Sequence, residues 1–208
     1  MSETTSISNA LPNEESISNA ADLNVFDGKG DKLKFGSIFE RQKTVVVFIR
    51  HFFCGSCKMY VEQLATIPKS ALEDAGTRIV VIGCGEWNPI ASYAESTGFS
   101  GEIYADPSLS VHHALGMNIQ NLAATPAGQK KRSYLTSGAV SNVVKSIWTG
   151  PIKNPSHIGK QGNISQLGGD FILGPGNQCK FSSRMQHTQD HVEVTDLMKA
   201  AGVTVPQS

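Results

Sequence analysis

Short apolar runs alternate along this chain with stretches whose apolar residues return every three or four positions, most clearly between residues 44 and 116. Thr44-Val45-Val46-Val47-Phe48-Ile49 is β-branched and apolar on both faces, the pattern of a buried parallel strand rather than a surface one. From about Ser56 to Ile67 the period becomes helical, with Met59, Tyr60, Leu64 and Ile67 on one face and Pro68 closing it. Arg78 to Ile82 reads as a second buried strand ending in Gly83-Cys84-Gly85. Asn88-Pro89 opens a helix through about Thr97, with proline in a favoured first-turn position. Glu102 to Ala105 is a third strand, and Asp106-Pro107 begins a short helix toward Leu115-Gly116.

This β-α-β-α-β-α order implies an α/β domain with a mostly parallel sheet core. A hairpin precedes it, Leu23 to Phe26 and Lys32 to Phe35, joined by Asp27-Gly28-Lys29-Gly30-Asp31. A second hairpin follows late in the chain, Phe171 to Leu173 and Gln178 to Phe181 around Gly174-Pro175-Gly176-Asn177, and Val194 to Ala201 closes with a helix. Between them, Val140, Val143, Val144, Ile147 and Trp148 form one helical face, which Gly150-Pro151 breaks. Ile152 to Gly169, rich in Gly, Asn, Pro and Ser, suits a long ordered loop over the active face. No internal repeat is visible.

Composition narrows the functional classes. The chain has 208 residues, enough for one domain with a core that needs no staples. Lys plus Arg and Asp plus Glu number 18 each, so no basic field attracts nucleic acid or an anionic membrane. Met1 to Ala21, rich in Ser, Asn, Glu and Thr, has neither the apolar core nor the basic start of a secretory signal and reads as a disordered tail before a domain spanning 22–208. No apolar run approaches the length that spans a bilayer, and the expected location is cytoplasmic. Four cysteines, two of them in a C-x-x-C, fit a reducing compartment where thiols are catalytic.

The candidate chemistry lies at Cys54-Gly55-Ser56-Cys57, directly after the first core strand and at the start of a helix. Unpaired N–H groups and the positive end of the helix dipole stabilise a thiolate there, and Lys58 adds a cation, so Cys54 is expected to be nucleophilic near neutral pH. Cys57, one turn on, is placed to attack a mixed disulfide or sulfenic acid on Cys54. A zinc site would require a second cysteine pair, and the chain offers only the isolated Cys84 and Cys179. Cys84 ends the neighbouring strand on the same side of the sheet, so it is a second candidate to resolve Cys54, beside the reading of an inert buried thiol. Cys179 reads as core, and Trp87 and Trp148 as packing residues, Trp87 also being a candidate substrate contact.

The element order looks like the thioredoxin fold, with a central mixed β-sheet flanked by helices on both faces. More closely, Val45 to Gly85 and Gln166 to His191 resemble the fungal AhpC/TSA-type, peroxiredoxin-like 2 proteins. The residues that carry the resemblance are Arg50-His51-Phe52, Cys54 and Cys57, Ile82-Gly83-Cys84-Gly85, Arg184-Met185 and Asp190-His191. The resemblance covers most of the chain after residue 21. Typical peroxiredoxins have proline seven residues and threonine or serine three residues before the attacking cysteine, where this chain has Val47 and His51. They also place an arginine before the late strand, and thioredoxins a cis-proline; this chain has Gly168-Gly169 there, leaving Arg50 or Arg184 as replacements for the arginine.

The resemblance implies that the Cys54 thiolate attacks a peroxide oxygen and that the sulfenic acid condenses with a second thiol. Arg50 would hold thiolate or peroxide, His51 would donate a proton to the leaving oxygen, and Arg184, Lys58 and Trp87 would contact substrate. Arg184 and His191 have the plainer reading of pinning the final helix. The implied partners are a peroxide (hydrogen peroxide, an organic hydroperoxide or an endoperoxide) and a thiol reductant, thioredoxin or glutathione in kind; a homodimer through the sheet edge is a further expectation. No cofactor or metal is implied. Two other functions stand beside this one: a thioredoxin-like disulfide reductase, and a secondary-metabolite tailoring enzyme or binding protein that has repurposed the fold.

Overall fold

The computed structural model of the chain describes residues 8–135 and 155–205. The strand expected at Thr44 to Ile49 is β3 (Lys43–Ile49), and it is central. It pairs in parallel with β4 (Thr77–Gly83) from Lys43↔Thr77 to Ile49↔Gly83, and antiparallel with β6 (Gly169–Leu173). Val45, Val47 and Ile49 enter the core on one face, Val46 and Phe48 the core on the other. Each such burial contributes about 1.5–3 kcal/mol, which explains a strand apolar on both sides.

Around it the sheet has seven strands in the order β2-β1-β5-β4-β3-β6-β7, with β1 (Asn24–Phe26), β2 (Lys32–Lys34), β5 (Glu102–Ala105) and β7 (Cys179–Arg184). Only β3, β4 and β5 are mutually parallel; the hairpins β1–β2 and β6–β7 join antiparallel, so a parallel core sits within the central mixed sheet expected from the thioredoxin-like element order. The two hairpins were legible as hairpins. What their sequence could not supply was the edge each joins.

Six helices flank the sheet among the described residues: α1 (Glu14–Ala21), α2 (Gly55–Ala65), α3 (Lys69–Asp74), α4 (Ile90–Thr97), α5 (Ser110–Ala114) and α6 (Val194–Ala200). Helices α2, α4 and α6 supply buried residues to one core, with Cys54, Cys57, Tyr60, Tyr93 and Leu197. Helices α1 and α5 close the other, which is built on Phe35, Phe39, Phe48 and Phe171.

Helix α1 corrects the expectation of a disordered tail through Ala21. Asn13 caps it, its side chain accepting from Ser16 N at 2.8 Å, Glu14 and Glu15 lie in the first turn, and Ile17 and Ala20 are buried. Polar composition masked an i, i+3 apolar pair behind a cap. Helix α3, directly after Pro68, was also missed; it buries no residue, so it has no apolar stripe to read. Helix α5 starts at Ser110 rather than Asp106, because the Asp106 carboxylate reaches forward to the amides of Ser110, Val111 and His112. The helical face from Val140 to Trp148 lies outside the described residues.

The loop expected over the active face is there as a strap. Phe52 N donates to Gln161 O (3.1 Å), Glu86 N to Lys160 O (2.8 Å) and Asn121 N to Ser165 O (2.8 Å), which ties 160–165 across the carboxyl ends of β3 and β4. Gly162 (φ +99) makes this approach fit: a Cβ there would lie 2.6 Å from Cys84 Sγ. Gly168 has a similar role at β6, where a Cβ would lie 1.7 Å from the Phe48 carbonyl oxygen. No side chain, cis-proline or arginine included, fits that position.

Candidate thiol site

Helix α2 begins where β3 ends, and Cys54 is its N-cap. Cys54 Sγ accepts from the backbone N–H of Cys57 at 3.3 Å, the bond a capping oxygen would make. The remaining neighbours of the sulfur are Ser56 Oγ at 3.2 Å and Arg50 Nη1 at 3.5 Å. Burial alone would push the Cys54 thiol up. The hydrogen bond from Cys57, the charges of His51 and Arg50 and the Ser56 hydroxyl outweigh it and hold Cys54 well below the ordinary thiol value. Cys57 goes the other way: it is fully buried, and burial together with the neighbouring Cys54 sulfur raises it well above that value. The pair therefore divides into a sulfur favoured to ionise at the helix N-terminus and one held toward its protonated form beneath it. Both are free thiols, as are Cys84 and Cys179.

Arg50 is fixed from three sides. Its backbone N–H donates to Cys57 Sγ at 3.4 Å, its Nη2 to the carbonyl of Ile164 on the strap, and its own carbonyl accepts from Cys84 Sγ at 2.7 Å. A guanidinium stays charged when buried, which suits it to hold a thiolate. His51 is buried too. Burial pushes its ring toward the neutral form and Arg50 adds to this, while Cys54 opposes it; the permanent positive charge at the thiolate is therefore Arg50.

Cys84 reaches the same region by register, since β4 runs parallel to β3 and Ile49 pairs with Gly83. Its sulfur faces the Arg50 and Asn163 carbonyls (2.7 and 3.7 Å), and burial pushes its thiol up to about 12. It also lines a cleft of about 180 Å³ with Glu86, Leu109, Lys160 and Asn163, a cleft whose lining does not include Cys54.

The substrate contacts anticipated from sequence are not gathered at one point. Lys58, in the second turn region of α2, lies 3.5 Å from Glu62. Trp87 is half-buried against the β1–β2 turn, where a Cβ on Gly30 would meet its ring at 2.8 Å. Arg184 is on the opposite face of the sheet, which corrects its placement as a substrate ligand. Opposite Gly169 in the ladder, it stands over the Phe171 ring and donates to the carbonyls of Leu115 (2.6 Å), Ser8 (3.2 Å) and Ala10 (2.8 Å), so it pins the N-terminal segment rather than the final helix. Of the two arginines offered as replacements, Arg50 alone contacts Cys54 among the described residues.

Several neighbours of the thiols escaped the sequence reading. Ser56 Oγ, besides facing Cys54, donates to Thr188 O at 2.9 Å and so links the site to the segment after β7; its position inside C-x-x-C was the available signal. The hydroxyls of Tyr60 and Tyr93 are buried in the same core with no hydrogen-bond partner among the described residues, and the Tyr134 hydroxyl, buried beside them, faces the backbone of His191. Asp170 and His191 form a buried pair there, Oδ1 to Nδ1 2.9 Å.

The sequence model described as AhpC/TSA antioxidant enzyme matches residues 63–187, beginning just after the cysteine pair. Human "Peroxiredoxin-like 2C" is 37% identical over 184 residues, covering 88% of this chain and 79% of that protein. "Prostamide/prostaglandin F synthase" of Xenopus tropicalis is 24% identical over 179 residues, covering 84% of this chain and 82% of that protein. Among solved structures, peroxiredoxin 6 of Arenicola marina superposes with a TM-score of 0.57 at 13% identity, covering 87% of this chain and 69% of that one. Peroxidoxin BcpB of Mycobacterium tuberculosis gives 0.54 at 11% identity, covering 88% and 92%. These superpositions report a shared fold.

Proposed function

The chain belongs to the AhpC/TSA antioxidant-enzyme family, among its peroxiredoxin-like members, and on that premise we propose that it reduces a peroxide through Cys54 with Cys57 as the resolving thiol. A thioredoxin-fold redox function follows from the family; the peroxide and the order of the thiols are the further step. The observation that carries it is the environment of Cys54 Sγ, an N-cap sulfur that accepts from Cys57 N and faces Arg50 Nη1.

The Cys54 thiolate attacks one oxygen of the O–O bond, which breaks to give Cys54 sulfenic acid and an alkoxide or hydroxide. Arg50 stabilises the charge as it moves from sulfur to oxygen, and the leaving oxygen takes up a proton. Cys57 then displaces the sulfenic hydroxyl as water and closes a Cys54–Cys57 disulfide. An external thiol reductant, thioredoxin or glutathione in kind, returns both cysteines to thiols. His51, held toward neutrality by burial, serves as a hydrogen-bonding neighbour rather than as a second cation. Hydroperoxides, and endoperoxides of the kind suggested by the prostaglandin synthase relatives, share the bond that Cys54 attacks.

The test is a stopped-flow titration of the reduced protein with hydrogen peroxide and with a bulky organic hydroperoxide, followed by Trp fluorescence. Fast, saturable oxidation that disappears in Cys54→Ser supports the reading. Oxidation no faster than that of free cysteine overturns it and moves the search to disulfide substrates.

A further inference from the structure

Ser56 lies in the first turn of α2, with its hydroxyl between the attacking sulfur and a backbone carbonyl that both draw on its single proton. Its Oγ is 3.2 Å from Cys54 Sγ, a contact in which either atom can donate, and it donates to Thr188 O at 2.9 Å. A hydroxyl carries one proton and two lone pairs, so it can accept from one neighbour while donating to another, but it cannot donate fully to both. Thr188 O can only accept. The Cys54 thiol can donate, whereas its thiolate can only accept. The two charge states of Cys54 therefore call for two different orientations of the serine hydroxyl.

With Cys54 protonated, the chain of bonds runs from S–H to Ser56 Oγ and from Ser56 O–H to Thr188 O. With Cys54 ionised, the serine proton is better used on the sulfur, because a hydrogen bond to a charged acceptor is roughly twice as strong as one to a neutral carbonyl. The exchange is a rotation of one O–H bond and moves no heavy atom. Thr188 is half-buried, so water can take up the released carbonyl. The segment after β7 keeps its place through other bonds: Thr188 N donates to Ala123 O at 2.8 Å, Gln186 N to Asp190 Oδ2 at 2.9 Å and Asn121 Nδ2 to Gln186 O at 3.1 Å.

We propose that the Ser56 hydroxyl is a two-position switch on the attacking sulfur: it donates to the Cys54 thiolate before attack and turns to the Thr188 carbonyl once the sulfur has given up its charge. This rests on Cys54 being the attacking thiol. In the attack the sulfur bonds one peroxide oxygen, the O–O bond breaks with its electron pair on the other oxygen, and that oxygen takes up a proton. The sulfur is then neutral, and the serine proton has its better acceptor in Thr188 O. The Cys54–Cys57 disulfide carries no charge either, so the bond to Thr188 is kept until reduction returns the thiolate. Ser56 thus enlarges the share of Cys54 that is ready to attack and does not hold the product. Among the described residues, the charged and titratable groups around Cys54 are Arg50 and His51 ahead of α2, Cys57 within it and Tyr93 of α4. On the segment that carries Thr188, Asp190 lies 3.2 Å from Arg132 and 3.5 Å from His187.

A carbon-13 label at the Thr188 carbonyl reports the hydroxyl directly in the unaltered, reduced protein. As pH rises its resonance is expected to move upfield, as a carbonyl does on losing a hydrogen bond, with the same midpoint as the alkylation of Cys54 by iodoacetamide. Ser56→Ala is expected to abolish that movement and to raise the alkylation midpoint by about half a unit to one unit, a slowing of about three- to tenfold at pH values below both midpoints. Ser56→Thr keeps the hydroxyl and is expected to restore both. A Thr188 carbonyl that does not titrate with Cys54 in the wild type overturns the proposal, even if Ser56→Ala does not fold. So does an unchanged alkylation midpoint in folded Ser56→Ala, or a carbonyl that still titrates with Cys54 there. Oxidation by peroxide no faster than that of free cysteine, with both signals as expected, would overturn the peroxide reading alone. A wild-type midpoint at the ordinary thiol value would overturn Cys54 as the attacking thiol, and the proposal with it.

Discussion

Among the described residues, each face of the sheet carries a fully buried aspartate–histidine pair, and the two pairs differ in what surrounds them. Asp106 lies 2.8 Å from His112 Nδ1, and its carboxylate also accepts from the amides of Ser110, Val111 and His112 and from the Ser108 hydroxyl. His112 meets Phe48 edge-on in an aromatic core. The Asp106 carboxylate is spent on starting α5, while His112 Nε2, like His191 Nε2, has no partner among the described residues. Asp170 accepts from His191 and from one amide, and its histidine stacks on a tyrosine of the cysteine helix. The same pairing thus starts a helix on one face and ties β6 to the segment after β7 on the other. The number of donors already satisfied by the carboxylate separates them, more than burial does.

The contrast extends to the arginines and cysteines. Arg50 spends one nitrogen on the Cys54 sulfur, whereas Arg184 spends its donors on three backbone carbonyls. Cys54 and Cys57 lie in the core of the thiol face; Cys179 packs against the opposite core and donates to the Phe181 carbonyl.

Variants on the two faces should therefore fail in different ways. The largest expected effect is loss of peroxide-dependent oxidation by several orders of magnitude in Cys54→Ser, against no change in Cys179→Ser, both read by stopped flow. Next, Asp106→Asn should cost about 2–4 kcal/mol in denaturant unfolding, because buried amides lose a charged acceptor, while the folded protein keeps its peroxide rate. Burial pushes the Asp106 carboxyl up, but His112 and its other hydrogen bonds hold it below the ordinary carboxylate value. The stability it contributes is thus full above the ordinary carboxylate pKa and is lost as pH falls through the lowered one, and the Asn variant should lack that part of the acid transition.

Arg50→Met should raise the Cys54 pKa and move the pH midpoint of its alkylation by iodoacetamide upward by about one unit, a slowing of about tenfold at pH values below both midpoints. Arg184→Met should leave alkylation alone and lower stability by about 1–2 kcal/mol, as three carbonyls lose their donor. The smallest effect belongs to Cys84→Ala. With its thiol at about 12, Cys84 is protonated at neutral pH, so its loss should leave the Cys54–Cys57 bridge as the oxidised product in peptide mass maps.

The apolar residues of β3 and the cap position of Cys54 were legible because both follow from local periodicity. The strap was legible as a long polar loop over the site. The face on which Arg184 points was not, because it depends on the register of β6 and β7, which shifts between Ile172 and Leu173. The Asp170–His191 pair was also out of reach: a strand and a loop 21 residues apart bring it together, with no spacing that announces it. Helix α1 was missed for a different reason, since Asn13, Glu14 and Glu15 are cap and first-turn residues as well as the composition of a disordered tail.

The account rests most directly on the fate of Cys54 during one turnover, which rapid quenching and peptide mass mapping can follow after one equivalent of hydrogen peroxide. The expected sequence is Cys54 sulfenic acid first and a Cys54–Cys57 disulfide second, formed faster than a free thiol reacts. A product bridging Cys54 to Cys84, or a fully reduced Cys54 after exposure that oxidises free cysteine, would contradict it.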